Sequence, residues 1–409
     1  MHDVTHFGLD VVLVAGALSA ALLTAKLSAR VSVPSAAFFL VAAAIASDLF
    51  PSLVLRIQTV ERIATLALIV ILFQGGSSIG RRRFRVAAIP IASLGILGTF
   101  ATAALVALFG HWALGLGWVT AGLLGAAVAP TDPAVMFSVL GDREVAGRTA
   151  TILEGESGAN DPVGIALMLG MIQLATHADA TFWIVVRVFC EQMAIGLAIG
   201  VAGGLAEAQL LRRLALPSTG LHTVRTLALA GLVYGLATVA HGSGFLAVFV
   251  AGLIVGDVEA PFKAEIVVFQ EGLASLAEIV VFVALGLTID LSGLSFERWA
   301  EGIAVAGFLA LVARPAALAA LLAPVRLRLG ERLFVMWGGL KGAVPILLAA
   351  FAVAARVPHA QRLYETVFVV VLASVVVQGG TIAPAAARFR VPMRRISPTP
   401  RGERSASAR

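Results

Sequence analysis

Residues 125–134 read GAAVAPTDPA, a stretch in which two prolines enclose a threonine and an aspartate inside an otherwise apolar segment. Each proline lacks a backbone N–H and disfavours helix at the residue before it. A helix over 116–140 is therefore expected to break near Thr131 and Asp132, leaving free carbonyls and two half-helix ends that face each other. A simple proline kink repaired by a Thr/Asp cap is the alternative for this stretch taken alone.

A second stretch of the same kind, WGGLKGAVP at 337–345, places three glycines and a proline around Lys341. It predicts a second break, inside an apolar segment over 330–354. The two broken segments are the fifth and twelfth of the chain, and an offset of seven spans means that they cross the membrane in opposite directions. This pattern is typical of inverted repeats whose discontinuous helices cross at the midplane. There Asp132 would face positive N-terminal half-helix ends and Lys341 negative C-terminal ends.

The composition predicts a membrane protein, because 59% of the 409 residues are hydrophobic and only 13% are charged. We expect an all-α polytopic fold with about thirteen transmembrane helices, each long enough to cross roughly 30 Å of hydrocarbon. They form one transmembrane transporter domain over 1–390, followed by a short basic cytoplasmic tail over 391–409. The apolar segments lie near 8–25, 33–50, 60–80, 86–109, 116–140, 150–174, 181–211, 222–240, 243–259, 265–290, 300–322, 330–354 and 364–388.

The positions of Lys and Arg predict the orientation, because cytoplasmic loops carry an excess of them. With the N-terminus outside, fifteen basic residues fall in cytoplasmic loops and five in external ones, and seven more lie from Arg388 to Arg409. This indicates an inner (plasma) membrane protein with its N-terminus outside and its C-terminus in the cytoplasm. A cleaved signal peptide over 1–25 is the alternative, but no Lys or Arg precedes its apolar stretch. Basic residues placed between spans do not indicate nucleic acid as a partner.

The sixth span holds the densest polar cluster, LEGESGANDP at 153–162. A charge at the centre of a span costs at least about 2.5–3.5 kcal/mol, so such residues are functional candidates. Ser157 and Asp161 are four residues apart and share one helix face. A polar clamp between helices is the structural alternative. Arg314 in the eleventh span needs a buried carboxylate, and Glu156 is the expected partner.

For the other polar residues the sequence gives weaker evidence of a functional role. Glu207 and Glu278 are expected near helix ends or cavities, with structural roles. The seven histidines lie at or near span ends, which argues against a metal centre. No Walker loop, dinucleotide fingerprint or HExxH motif is present, so neither an enzyme nor a bound cofactor is expected.

At these motifs the sequence resembles the monovalent cation/proton antiporter family of NhaP type, which includes the animal sodium/proton exchangers. The similar elements are TDP at 131–133, ExxxND at 156–161, Arg314-Pro315 and GGLKGAVP at 338–345, in the family's order and spacing. Within the family the chain looks most like the cell-volume-regulation potassium/proton antiporters, through GSGFLAV at 242–248 and AGL at 251–253. The match extends over nearly the whole chain.

The resemblance implies a role for each site residue. Asp161 would bind the cation and the proton, with Ser157 and the backbone at Thr131 as further ligands of the monovalent cation. Asn160 would orient Asp161, and Glu156 would pair with Arg314. Two positions depart from the family pattern. Gln74 stands where many relatives carry an acid, and Lys341 replaces the usual arginine, which retains the charge but loses the planar fork.

The resulting prediction is a secondary antiporter that exchanges Na⁺ or K⁺ for H⁺. The proton and the dehydrated cation would compete for Asp161, and one titrating site predicts an electroneutral 1:1 exchange. The resemblance further implies a homodimer in which a core bundle holding spans 5, 6, 12 and 13 rocks against a scaffold. Na⁺ and K⁺ both remain open from residue types, and the resemblance leans towards K⁺.

Two other classes of membrane protein, channels and intramembrane proteases, could also have polar residues at the membrane midplane. A channel needs a continuous filter, and no carbonyl-loop motif or hydrophobic gate pattern is visible. An intramembrane aspartyl protease needs two aspartates, which Asp132 and Asp161 could supply, but the chain lacks a GxGD motif and such a site gives no role to Arg314 and Lys341. Substitution of Asp132 by asparagine distinguishes a protease from an antiporter, because it should abolish protease activity outright.

Overall fold

Helices dominate the computed structural model, which describes residues 33–395 apart from 141, 142, 178 and 215, together with positions 8, 16 and 19. The predicted first span, 8–25, falls largely outside the described residues. In chain order the helices are α1 Ser35–Leu49, α2 Ile57–Val86, α3 Ala88–Leu114, α4 Trp118–Val128, α5 Pro133–Ser138, α6 Gly147–Thr176, α7 Phe182–Arg213, α8 Thr219–Val239, α9 Gly244–Gly256, α10 Lys263–Gly286, α11 Phe296–Leu322, α12 Leu329–Trp337, α13 Ala343–Ala354, α14 Ala360–Gln378 and α15 Ile382–Arg388.

Six of these helices are long and apolar enough to cross a membrane within the described residues, namely α2, α3, α7, α10, α11 and α14. The predicted segments from 33–50 onwards each overlap one helix or a pair of helices. The segment 60–80 ends at a real feature, because Gly80 has φ 68° and kinks α2 before the helix continues to Val86. Asp257 supports the kink by accepting a 2.6 Å hydrogen bond from the N–H of Arg82.

Both predicted breaks are present. Helix α4 ends at Val128 and α5 begins at Pro133, where a missing N–H costs nothing because the first turn has no intrahelical acceptor. Helix α12 ends at Trp337, and α13 begins at Ala343 with Pro345 in its first turn. Predicted spans 5 and 12 are thus each two shorter helices.

A small sheet departs from the all-α prediction. Strand β1, Arg143–Val145, pairs antiparallel with β2, Met393–Arg395, with Val145 opposite Met393. The N–H of Ala146 also donates to the carbonyl of Pro392 at 2.9 Å. The beginning of the predicted basic tail, 391–409, is therefore paired with the loop between α5 and α6. Nothing in the local sequence indicates this pairing, since the strands lie about 250 positions apart.

Small residues let the helices approach closely, which matters because lipid tails give apolar helices no hydrophobic reason to associate. Helix α2 packs on α9 and α10, and α9 also packs on α7. At the α2–α9 contact, a Cβ on Gly76 would overlap the Phe249 carbonyl, and one on Gly252 would overlap the Phe73 carbonyl. The polar helix α6 packs on α4 and α7, and α13 packs on α14 and α4. Helices α4, α6 and α13 together enclose the two breaks.

Candidate functional site

The two breaks lie against each other. The main-chain N–H of Asp132 donates to the carbonyl of Leu340 at 2.8 Å. Lys341 is only 1% exposed, and its Nζ donates to the carbonyls of Ala129 and Pro130, each at 2.9 Å. These carbonyls end the half-helix α4, where the helix dipole is negative. The lysine of the second break thus caps the helix that stops at the first.

Asp132 has the complementary position. Its Oδ1 accepts hydrogen bonds from the N–H groups of Ala134 at 2.9 Å and Val135 at 3.4 Å, which caps the start of α5. A Cβ on Gly342 would overlap Asp132 Oδ2, so the carboxylate also lies beside the start of α13. The capping role that sequence offered as the simpler alternative is therefore real, and it coexists with a complete break.

Helix α6 holds the first break from the side. Asn160 Oδ1 accepts from the N–H of Thr131 at 3.2 Å, and Asn160 Nδ2 donates to Thr131 Oγ1 at 2.8 Å. Ser157 Oγ donates to the Thr131 carbonyl. The side-chain hydrogen bonds of Asn160 are thus with Thr131, whereas the resemblance implied that Asn160 orients Asp161. Its immediate effect is to position the unwound backbone.

Asp161 is the uncommitted carboxylate of this group. It is 8% exposed, and its Oδ1 is buried without a hydrogen-bond partner among the described residues. It lines a cavity of about 250 Å³ together with Ser157 and Asp132. A buried carboxylate oxygen without a partner is unfavourable unless a proton or a ligand satisfies it. The arrangement can therefore hold either a proton or a cation.

Glu156 and Arg314 form a buried bidentate ion pair. Arg314 Nη1 lies 2.9 Å from Glu156 Oε1, and Nη2 donates to Oε2 at 3.1 Å, with each side chain 3% exposed. Arg314 also donates to the carbonyls of Met336 at 3.1 Å and Val335 at 3.2 Å. These carbonyls belong to the last turn of α12, so the guanidinium neutralises both the carboxylate and a negative half-helix end.

Sequence reasoning missed two residues that support the second break. Ser374 Oγ accepts from the N–H of Lys341 at 3.0 Å and donates to Gln378 Oε1 at 3.0 Å. Gln378 Nε2 in turn donates to the carbonyl of Trp337, the last residue of α12, at 2.5 Å. The available signal was the spacing, since two polar residues four apart in an apolar span repeat the pattern of Ser157 and Asp161.

The structure also separates two acids that the sequence treated alike. Glu278, for which we expected a structural role, lines the cavity of Asp161, and so does Gln74. Glu207 is fully buried in α7, and neither of its carboxylate oxygens has a hydrogen-bond partner among the described residues. In the part of the chain that the structure describes, no three His, Cys, Asp or Glu side chains are placed so that together they could hold one metal ion.

Comparisons with known proteins show the family of the chain. A family model described as sodium/hydrogen exchanger, transmembrane, matches residues 17–388. A K⁺/H⁺ antiporter NhaP from Alkalimonas amylolytica is 38% identical over 331 residues, which is 80% of this chain and 57% of that protein. A K⁺/H⁺ antiporter NhaP2 from Shewanella sp. (strain ANA-3) is 33% identical over 383 residues, covering 92% of this chain and 66% of that protein. The chain thus spans less than two thirds of the length of either relative.

A solved structure shares the fold. The sodium proton antiporter MjNhaP1 from Methanocaldococcus jannaschii superposes with a TM-score of 0.78 at 21% identity, over 94% of this chain and 99% of that one. A Na⁺/H⁺ antiporter NhaH from Halobacillus aidingensis is 27% identical over 310 residues, or 72% of this chain and 74% of that protein. The described part of the chain is therefore a multi-span, helical membrane protein with the MjNhaP1-like fold.

Proposed function

We propose that this chain, which belongs to the sodium/hydrogen exchanger family, exchanges a monovalent cation for a proton across the membrane, with Asp161 as the shared binding site. One observation carries the proposal: Asp161 has a buried, unpartnered Oδ1 that lies in a cavity beside two interrupted helices. Either a proton or a monovalent cation can satisfy this oxygen. The same group can therefore bind either ion, but not both at once.

Competition for one carboxylate gives the mechanism. With Asp161 protonated or cation-loaded, the site has no uncompensated charge, so the loaded protein can change its access from one side to the other. The empty, ionised form leaves a charge in the membrane, and this form should not cross. Ser157 and the Thr131 backbone supply further oxygens to the cation once their mutual hydrogen bond opens. One ion replaces one proton, which makes the exchange electroneutral.

The other charged residues support the site without binding the ion. Lys341, Asp132 and Arg314 each neutralise a half-helix end, and Glu156 balances Arg314. Such ends have no water to screen them inside a membrane. Asn160 maintains the unwound segment at Thr131. Their joint effect is to keep the polar crossing stable while Asp161 remains available to bind an ion.

We further propose that the two broken segments belong to inverted repeats, and that α4–α6 and α12–α15 move as a core against the remaining helices. We also propose that the protein is a homodimer in the plasma membrane, with its N-terminus outside. The fold shared with MjNhaP1 supports the helical arrangement, and the excess of Lys and Arg in alternate loops supports the orientation. Single-cysteine labelling of a Cys190→Ala background, with cysteines placed in opposite loops, tests the orientation.

Reconstitution tests the exchange itself. Liposomes with a preformed pH gradient and an acid-accumulating dye are treated with K⁺, Na⁺ or Li⁺ in turn. We expect K⁺ to collapse the gradient, since the relatives at 38% and 33% identity are named K⁺/H⁺ antiporters. Asp161→Asn should be inactive, and the KM of the wild-type protein for the cation should rise as the pH falls, because protons compete for the same oxygen.

Each negative outcome is informative. If no cation collapses the gradient with folded protein, the antiporter assignment fails. Current through the wild-type protein without coupled proton movement would indicate a channel. Retention of exchange by Asp161→Asn would place the ion site elsewhere in the cavity. The matched control is Glu271→Gln, which removes a carboxylate from the exposed surface of α10 and should leave exchange unchanged.

A further inference from the structure

Among the described residues, four carboxylates and no Lys, Arg or His side chain line the cavity that contains Asp161. The four residues are Asp132, Glu154, Asp161 and Glu278. They come from three regions of the chain: the first break, α6 and α10. A cavity of about 250 Å³ with four acids and no basic residue in its described lining attracts cations.

The four carboxylates differ in what they already bind. Asp132 caps α5 through the N–H groups of Ala134 and Val135. Glu154 Oε2 lies 3.5 Å from Nη2 of Arg83. Asp161 has its unpartnered Oδ1, and Glu278 forms no hydrogen bond or ion pair with any residue in the described part of the chain. Two carboxylates therefore remain for a ligand.

Glu278 lies in the middle of α10, an apolar helix in which a carboxylate is unfavourable without compensation. Helix α10 packs mainly on α1 and α2, with a smaller contact on α13, whereas Asp161 belongs to α6, which packs on α7 and α4 and also on α2. The two uncommitted acids thus belong to different helices that both line the cavity. A cation in the cavity could contact both helices at once.

We propose that Glu278 is a second cation-binding carboxylate, which binds the incoming monovalent cation at the part of the cavity wall formed by α10. This inference rests on the proposed antiport function. Glu278 stays with α1 and α2 when Asp161 moves with the core, so it acts when the cation loads and not when the loaded core moves. It should therefore set the affinity for the cation and leave the maximal rate of exchange unchanged.

Gln74 allows a direct test, because it lines the same cavity from α2. Glu278→Gln removes the carboxylate with almost no change in volume. Gln74→Glu in the same chain returns a carboxylate to the cavity from another helix. We expect Glu278→Gln to raise the KM for the cation about tenfold in liposomes, with Vmax within twofold of wild type, and the double variant Glu278→Gln, Gln74→Glu to recover most of the affinity.

A binding measurement separates this inference from the antiport proposal. A cation that binds the folded protein raises its unfolding temperature in detergent. The rise with K⁺ should be large in the wild-type protein, smaller in Glu278→Gln and restored in the double variant, while all three unfold at similar temperatures without the cation. Asp161→Asn should show no exchange. That result tests the proposed role of Asp161 in antiport and does not depend on the role of Glu278.

Two results would overturn the role of Glu278. A KM in Glu278→Gln within twofold of wild type shows that the carboxylate does not bind the cation. A raised KM that the added Gln74→Glu carboxylate does not lower shows that Glu278 acts through packing of α10. Glu271→Gln on the exposed face of α10 is the matched control for surface charge, and we expect no change in KM from it.

Discussion

The main-chain N–H of Asp132 donates a 2.8 Å hydrogen bond to the carbonyl of Leu340, so the two interrupted segments are joined at their breaks. The bond connects residues more than 200 positions apart, and it satisfies backbone groups that neither helix can satisfy alone. Inside a membrane no water is available to form hydrogen bonds with these groups. Each break therefore helps to satisfy the free backbone groups of the other.

Lys341 should be essential for stability as well as for exchange. Its replacement by methionine leaves the carbonyls of Ala129 and Pro130 without a donor, and an unsatisfied buried polar group costs about 1–3 kcal/mol. We expect a lower unfolding temperature in detergent and loss of exchange. Lys341→Arg retains the charge and should recover part of both. A methionine variant as stable as wild type would show that water satisfies the carbonyls.

The glycines of the second break should not tolerate a side chain. A Cβ on Gly342 would overlap Asp132 Oδ2, and one on Gly339 would overlap the guanidinium of Arg314. We expect either alanine variant to lose exchange and to unfold at a lower temperature. Gly272→Ala is the matched control, because nothing lies within 4 Å of an added Cβ there. That variant should be as active as wild type and slightly more stable, since alanine favours helix.

The Glu156–Arg314 pair should show strong coupling. Removing one partner leaves a buried charge alone, which costs about 3–5 kcal/mol, whereas removing both costs less than the sum. Thermal unfolding of Glu156→Gln, Arg314→Met and the double variant measures this coupling. Additive effects would argue that the carbonyls of Val335 and Met336, not the carboxylate, hold the arginine.

The Arg83–Glu154 pair serves as a comparison for the Glu156 and Arg314 variants, because it is more exposed. Its side chains are 51% and 27% exposed, so solvent screens the interaction, and exposed pairs contribute about 0–1 kcal/mol. Arg83→Gln should change the unfolding temperature little. A loss as large as that of Arg314→Met would mean that Arg83 has a structural role beyond this ion pair.

The dependence of exchange on membrane voltage tests the stoichiometry. A 1:1 exchange moves no net charge, whereas each net charge moved would change the driving force by about 2.3 kcal/mol per 100 mV. We expect equal rates with the voltage clamped at zero and at about −100 mV, in wild type and in Glu278→Gln alike. A voltage-dependent rate in wild type that disappears in Glu278→Gln would show that Glu278 also carries a proton across.

The sequence alone determined the features that depend on covalent geometry and on length. Pro130 and Pro133 lack the N–H that a continuous helix needs, and the glycines around Lys341 weaken the second helix locally. The apolar segments predicted the helices from residue 33 onwards because each is about as long as the hydrocarbon is thick. Arg314 and Glu156 could be matched because a buried charge requires an opposite one.

Only the tertiary structure decided which polar groups meet. Glu207 and Glu278 are both acids within largely apolar helices, and only packing shows that Glu278 lines the cavity while Glu207 is enclosed elsewhere. The contacts of Asn160 with Thr131 and of Gln378 with Trp337, and the pairing of β1 with β2, likewise join distant parts of the chain. The neighbouring helices set how each helix is rotated about its axis, and this rotation decides which side chains meet. A local sequence pattern contains no information about those neighbours.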